Sequence, residues 1–407
     1  MEKTTPSTLQ QVARVTVPEL DVLRALAAIL MIVNHAGFRL LSNDDATSSI
    51  AGSAVFLGSF APVVFFFSTG FGIALATHAH RRPPALLSTL WKTFLLIVAD
   101  QFFFWNSGQA WGIDFFGFIG LASISVALVA RARRPSMWCV GLILGLLALR
   151  YGIGPQAREH LHGGRFVDWL FGVDAVPNVS YPLTPWMVYP LLGFIVGRCY
   201  RPVRSRPRRQ RDFPLVVSLA LLFGLSALSL TMAWRGSTFF RWGTVSAAYF
   251  VLSLAVLLLT GLLSAYITLS HPVLARRIAL RGVTSFLVIP LHYALLDLCA
   301  AVLPLPVAPA LFAVIGLAVV ILSFVLSFRF ADVVSDLWSR QSRRLTFPLL
   351  MTLLAAFGGA TVWAAQGKEA AVFVLLGQLV VAALLSLRFG RPGSRLTPAL
   401  VPPPENR

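Results

Sequence analysis

Charge is what this sequence has least of. Only 12% of its 407 residues are Asp, Glu, Lys or Arg, where a soluble domain carries about 25%, so a chain of water-facing domains is excluded. Acids are scarcer still, 16 against 34 Lys and Arg, which leaves a formal net charge of +18. Such a surplus can mark a nucleic-acid binder. Here, however, the basic residues are mostly arginines in short loops between apolar runs, which is the positive-inside signature of a membrane protein. The 3 cysteines, Cys139, Cys199 and Cys299, lie in or beside apolar runs and show neither metal spacing nor a reason to pair. His160 and His162 stand close together, but without further clustered ligands they do not add up to a metal site. There is no internal repeat. Residues 1–18 lack a small-residue cleavage site, so the first helix reads as retained.

What is present is apolar and long. The chain is 57% hydrophobic, with 31 Phe and 10 Trp. Runs long enough to span a bilayer, about 17–25 residues each, fall near 22–41, 54–76, 85–104, 112–130, 136–151, 183–199, 213–233, 243–268, 282–303, 309–330, 345–366 and 370–389. The expected fold is an all-α polytopic integral membrane protein of about 10–12 transmembrane helices. Counting along the alternation, 25 Lys and Arg lie on the side of the amino terminus and 7 on the other. That bias places both termini in the cytoplasm, and the expected location is a bacterial-type inner (plasma) membrane. The domain expectation is a cytoplasmic segment 1–18, a transmembrane domain 19–390 and a disordered, proline-rich cytoplasmic tail 391–407. The long connection 152–182 is external in this scheme, with an interfacial helix expected around 158–172.

The first run is the most informative. ELDVLRALAAILMIVNHAGFRLL, residues 19–41, is apolar yet carries Asp21, Arg24, Asn34 and His35. Intramembrane ionisable groups are costly and mark function by default. Arg24 and His35 are eleven residues apart, about three turns plus 20°, so they share one helix face with about 16 Å between them along the axis. Asp21 precedes Arg24 by one turn and can pair with it. Asn34 points about 100° away from His35. Further polar groups gather at two depths. Lys92, Arg81 and Arg82 join Arg24 toward the cytoplasm. Asp100, Asp114, His292 and Asp297 join His35 in the outer half, and Pro290 breaks the helix ladder beside His292. This layout suits a two-sided reaction. A phosphate-bearing donor is held by fixed cations below, and a hydroxyl acceptor meets a neutral histidine base above.

The sequence resembles the membrane-bound acyltransferase-3 family. The residues that carry the resemblance are LDVLRALAAILMIVNH, with its arginine-to-histidine spacing; VVFFFSTGFGIAL, in which Thr69 interrupts the serine-glycine-phenylalanine signature; PWMVYPLLGFIVGR; and RGVTSFLVIPLHYALL. These segments are similar also to the heparan-glucosaminide acetyltransferase-like branch of the same superfamily. The resemblance implies transfer of an acetyl or other short acyl group from acyl-CoA, used as a substrate with no tightly bound cofactor. The implied acceptor is a hydroxyl of a cell-envelope glycan, glycolipid or exported metabolite. His35 becomes the general base and Arg24 an orienting or donor-site residue, with His292 the other candidate base. From their own positions in the chain, Lys92, Ser68, Arg81 and Arg82 are the further expected donor-site residues, and Asp100, Asp114 and Asp297 the expected acceptor-site residues. The main rival from another class is a twelve-helix secondary transporter, whose layout also has both termini inside and a basic central loop.

Overall fold

Each of the twelve apolar runs folds as helix. The computed structural model describes residues 17–80, 84–154, 156, 160, 169–170, 179–200, 209–235, 245–340, 343–365, 367 and 369–389. Helix α1 covers Pro18–Leu40, α2 Asn43–Ser48, α3 Ile50–Gly58, α4 Ala61–His80, α5 Leu86–Asn106, α6 Phe115–Val129 and α7 Pro135–Ala148. After a single turn at Leu183–Trp186 come α8 Val188–Cys199, α9 Arg209–Trp234, α10 Ala247–Ser270 and α11 Pro272–Ile278. The last four are α12 Val283–Val302, α13 Pro309–Arg340, α14 Arg343–Trp363 and α15 Ala370–Phe389. Among the described residues nine helical stretches are long and apolar enough to cross a membrane, and Phe115–Val129 and Ala370–Ser386 are shorter apolar helices. The protein is an all-helical polytopic membrane protein.

Two runs depart from the simple expectation. The second breaks into α3 and α4 at Ser59 and Phe60. The sixth does not form one span from 183 to 199. Thr184 is non-helical (φ −101°, ψ 133°), and only the twelve residues of α8 continue, about 18 Å of helix where a bilayer core needs about 30 Å. Pro182 and Pro185 flank the break, and proline disfavours helix at the residue before it.

Packing follows the rules of a bundle in lipid, where small residues rather than apolar bulk bring helices together. Helix α1 is central and touches α3, α4, α10, α12 and α13. Its Ala25, Ala27, Ala28 and Ala36 are fully buried. The closest pair is α4 with α8. A Cβ on Gly70 would strike the Pro190 carbonyl, and one on Gly193 would strike that of Phe67; Gly197 lies against Phe71 and Ala74. The two backbones are in direct contact, which side chains at these glycines would forbid. The opposite surfaces carry large apolar groups: Leu221, Phe223 and Leu230 on α9, and Val314, Leu317 and Ile321 on α13, are exposed. In a bilayer these faces meet lipid.

The orientation in the membrane is open to direct test. Reporter fusions are expected to give cytoplasmic signals at both termini and an external signal at residue 165. A cytoplasmic signal at 165 would invert the arginine-based orientation. Of the expected interfacial helix at 158–172 only residues 160, 169 and 170 are described, and the segments 1–16 and 390–407 lie outside the described residues.

Candidate active site

The site begins where α1 meets α12. His35, late in α1, places Nδ1 2.8 Å from Nε2 of His292. His292 is fully buried, and its Nδ1 lies 3.0 Å from the Val288 carbonyl one turn back in α12. A carbonyl can only accept, so His292 Nδ1–H donates to it and Nε2 carries the lone pair. His35 Nδ1–H then donates to that lone pair. This leaves His35 Nε2 as the acceptor, 3.2 Å from the Tyr293 hydroxyl. For neutral rings the direction of the whole chain is therefore fixed by one backbone oxygen. The rings are also stacked: Tyr293 lies 4.7 Å from His35 and 4.5 Å from His292, centroid to centroid.

His35 opens on a cavity of about 490 Å³ that Asn34, Asp114, Tyr181, Tyr293 and Gln378 also line. Asn34 is partly committed, its amide donating to the Val55 carbonyl at 2.8 Å. At the rim Arg39, in the last turn of α1, meets Asp297 of α12 at 2.6 Å. Asp114 stands beside Ser180. Asp100 has a different setting. Its carboxylate accepts from the backbone N–H groups of Asp114 (2.7 Å), Phe116 (3.1 Å) and Gly117 (2.6 Å). It thus caps the amino terminus of α6 from α5, using the donors that a helix start leaves free. The end of the long connection also reaches this cavity: Ser180 N–H donates to Ile113, and Tyr181 packs edge-on against Phe66 and Trp186.

A second cavity, about 450 Å³, lies toward the start of α1. Arg24, Ser68, Thr69, Ser88 and Lys92 line it. Arg24 is held by Asp21 at 3.2 Å, and Asp21 also takes Arg281 at 2.5 Å. Gly72 leaves the space that the Arg24 guanidinium occupies. Lys92 feels the charge of Arg24 and has no hydrogen-bond or ion-pair partner among the described residues. Arg24 and Lys92 are the charged residues among those that line this cavity, with no Asp or Glu beside them in the lining, and the cavity is electropositive. Ser68 turns its hydroxyl to the Phe65 carbonyl at 2.8 Å. Arg81 and Arg82 lie outside the described residues.

The two cavities share a wall. Phe115, Phe116 and Ile289 line both, and Phe116 stacks on Phe286 at 4.5 Å. Arg24 and His35 thus address the same partition from opposite sides. His160 is hydrogen-bonded to the Gln156 carbonyl, and His162 lies outside the described residues. Reading the sequence did not find Tyr293, Arg39, Arg281 or Gln378. Tyr293 had only a weak signal, its place directly after His292, because an adjacent residue points about 100° away on a helix. Arg281, Arg39 and Gln378 had none, because their partners are 260, 258 and 279 residues away.

No curated protein and no solved structure matches the chain. A family does: the catalytic region of heparan-alpha-glucosaminide N-acetyltransferase matches residues 16–235. This is the second of the two resemblances read from the sequence, rather than the acyltransferase-3 family itself, and it gives the transporter layout no support. The match covers more than half of the chain and includes both Arg24 and His35. The chain belongs to the heparan-alpha-glucosaminide N-acetyltransferase catalytic family, a family of transmembrane acetyltransferases.

Proposed function

We propose that the protein moves an acetyl or other short acyl group from acyl-CoA, held in the Arg24 and Lys92 cavity, to an acceptor held in the His35 cavity. The observation that carries this reading is the shared wall: an electropositive chamber and a histidine-bearing chamber meet at Phe115, Phe116 and Ile289. Phosphates require fixed cations, and the guanidinium fork of Arg24 suits them better than a point charge. The acyl end of the donor then reaches the partition, and His35 Nε2 takes the proton of the acceptor as it attacks. His292 fixes the tautomer and ring plane of His35 and is a positioning residue. Asp100 holds α6 in place, whereas Asp114 and the Arg39–Asp297 pair face the acceptor.

The acceptor we propose is a sugar-bearing molecule of the cell envelope, a glycan, glycolipid or exported metabolite, reached through a hydroxyl. The name of the matched family points to a glucosaminide amine, which needs the same loss of one proton. Acyl-CoA is a substrate in this scheme, and no resident cofactor is called for. In this scheme the donor chamber faces the cytoplasm, an orientation that the arginine-rich loops favour.

The test is transfer of labelled acetyl from acetyl-CoA by purified protein, with coenzyme A binding measured in parallel. Arg24→Ala and Lys92→Ala are each expected to weaken coenzyme A binding by about 1.5–3 kcal/mol, the range for one charge-assisted contact. Arg24→Lys should restore only part, because lysine lacks the fork. Unchanged affinity in both alanine variants would remove these residues from the donor site. Failure of the wild type both to bind coenzyme A and to transfer label would sink the reading.

A further inference from the structure

We propose that Tyr293 is a catalytic residue whose hydroxyl changes partner during the reaction, from His35 Nε2 to the oxygen of the reacting carbonyl. The inference rests on the acyl-transfer reading above. Its starting point is the hydrogen-bond chain whose direction Val288 fixes, at the end of which the Tyr293 hydroxyl donates to His35 Nε2 at 3.2 Å. That nitrogen has one lone pair, and the lone pair is the base. The acceptor's hydrogen and the Tyr293 hydroxyl therefore compete for it. When the acceptor arrives, the Tyr293 hydroxyl must leave.

It cannot leave for nothing. A buried donor without an acceptor costs about 1–3 kcal/mol. Its ring is also confined, stacked on both histidines and set edge-on to Phe103 at 5.2 Å. The hydroxyl is thus free to change partner only within the His35 cavity, which Tyr293 lines. The reaction creates an acceptor there at the same moment. The acceptor atom bonds to the thioester carbonyl carbon, its proton passes to His35 Nε2, and the carbonyl π electrons move onto oxygen. Protonated Nε2 is now a donor and repels the tyrosine hydrogen, while the new oxyanion attracts it. On collapse the C–S bond breaks, the thiolate of coenzyme A leaves, and it takes up the proton from His35. The carbonyl re-forms, and the Tyr293 hydroxyl returns to the restored lone pair. A contact made only as charge develops raises kcat and leaves binding unchanged.

Tyr293→Phe removes one oxygen and keeps the stacked ring. It is expected to lower kcat about 10²–10³-fold, the loss typical of one oxyanion donor, with the affinity for coenzyme A unchanged and the KM for acceptor no higher than wild type, because the competing hydroxyl is gone. Fluorotyrosine at position 293, which keeps the hydroxyl, is expected to retain transfer. Full or faster transfer in Tyr293→Phe would mean that the hydroxyl only masks the base, and it would overturn the proposal. So would a fall in melting temperature with kcat and KM changing together, which marks a structural role. Wild-type transfer and its loss in His35→Ala report separately on the underlying reading. If both hold while Tyr293→Phe transfers at the wild-type rate, only the role of Tyr293 falls.

Discussion

His35→Ala is expected to lose about 10²–10⁴-fold in acyl transfer, the usual contribution of a general base, while expression and coenzyme A binding stay near wild type. Donor binding should survive because Arg24 and Lys92 line the other cavity. His292→Ala should cost less. It leaves the base in place but removes the acceptor for His35 Nδ1–H, so the ring loses its anchor and its tautomer is no longer set. His292→Gln, which again offers an acceptor, should recover part of that loss. Kinetics of labelled transfer for the three variants check the assignment. Full activity in His35→Ala together with none in His292→Ala would move the base from α1 to α12.

A larger effect on the folded protein is expected from Asp100→Ala. Three backbone N–H groups at the start of α6 end on this one carboxylate, and the residue is almost wholly buried. Alanine would orphan all three, at about 1–3 kcal/mol each. It would also remove an acidic side chain from the positive end of the helix dipole. Native proteins have margins of about 5–15 kcal/mol, so the variant should melt far below wild type in detergent or fail to accumulate. Asp100→Asn, which keeps one acceptor oxygen, should fall between. A variant that melts like wild type but shows a raised KM for the acceptor would instead make Asp100 a substrate ligand, the role its sequence position first suggested.

The contrast between these two residues marks how far the sequence could be read. Helical periodicity is local, so the shared stripe of Arg24 and His35 and the ion pair of Asp21 with Arg24 were legible in residues 19–41. The all-helical membrane fold was legible too, because span length and apolarity are written directly into each run. Asp100 was not, since a carboxylate aimed at a helix start looks the same in sequence as one aimed at a ligand. His292 was visible as a polar group in an apolar run, but its contact with His35 joins residues 257 positions apart. The shortness of α8 was hidden for another reason. Its residues are apolar enough to span, and only the prolines around Thr184 and the glycine contacts with α4 show that they pack against protein backbone instead.

Helix α15 has a consequence of its own. It lends Gln378 to the histidine chamber and Leu385 to the cationic one, yet it lies well beyond the segment that matches the family. A fragment trimmed to residues 16–235 would keep His35 and Arg24 but lose this part of both linings, together with His292 and Tyr293 of α12 that contact His35. Fatty-acyl tails would then compete for both chambers, in a medium that can neither solvate phosphate nor hold a sugar. The same geometry offers a handle. Because α15 touches both compartments without carrying the base or the cations, substitutions along its inner face could retune which acceptors fit while the chemistry on α1 stays as it is.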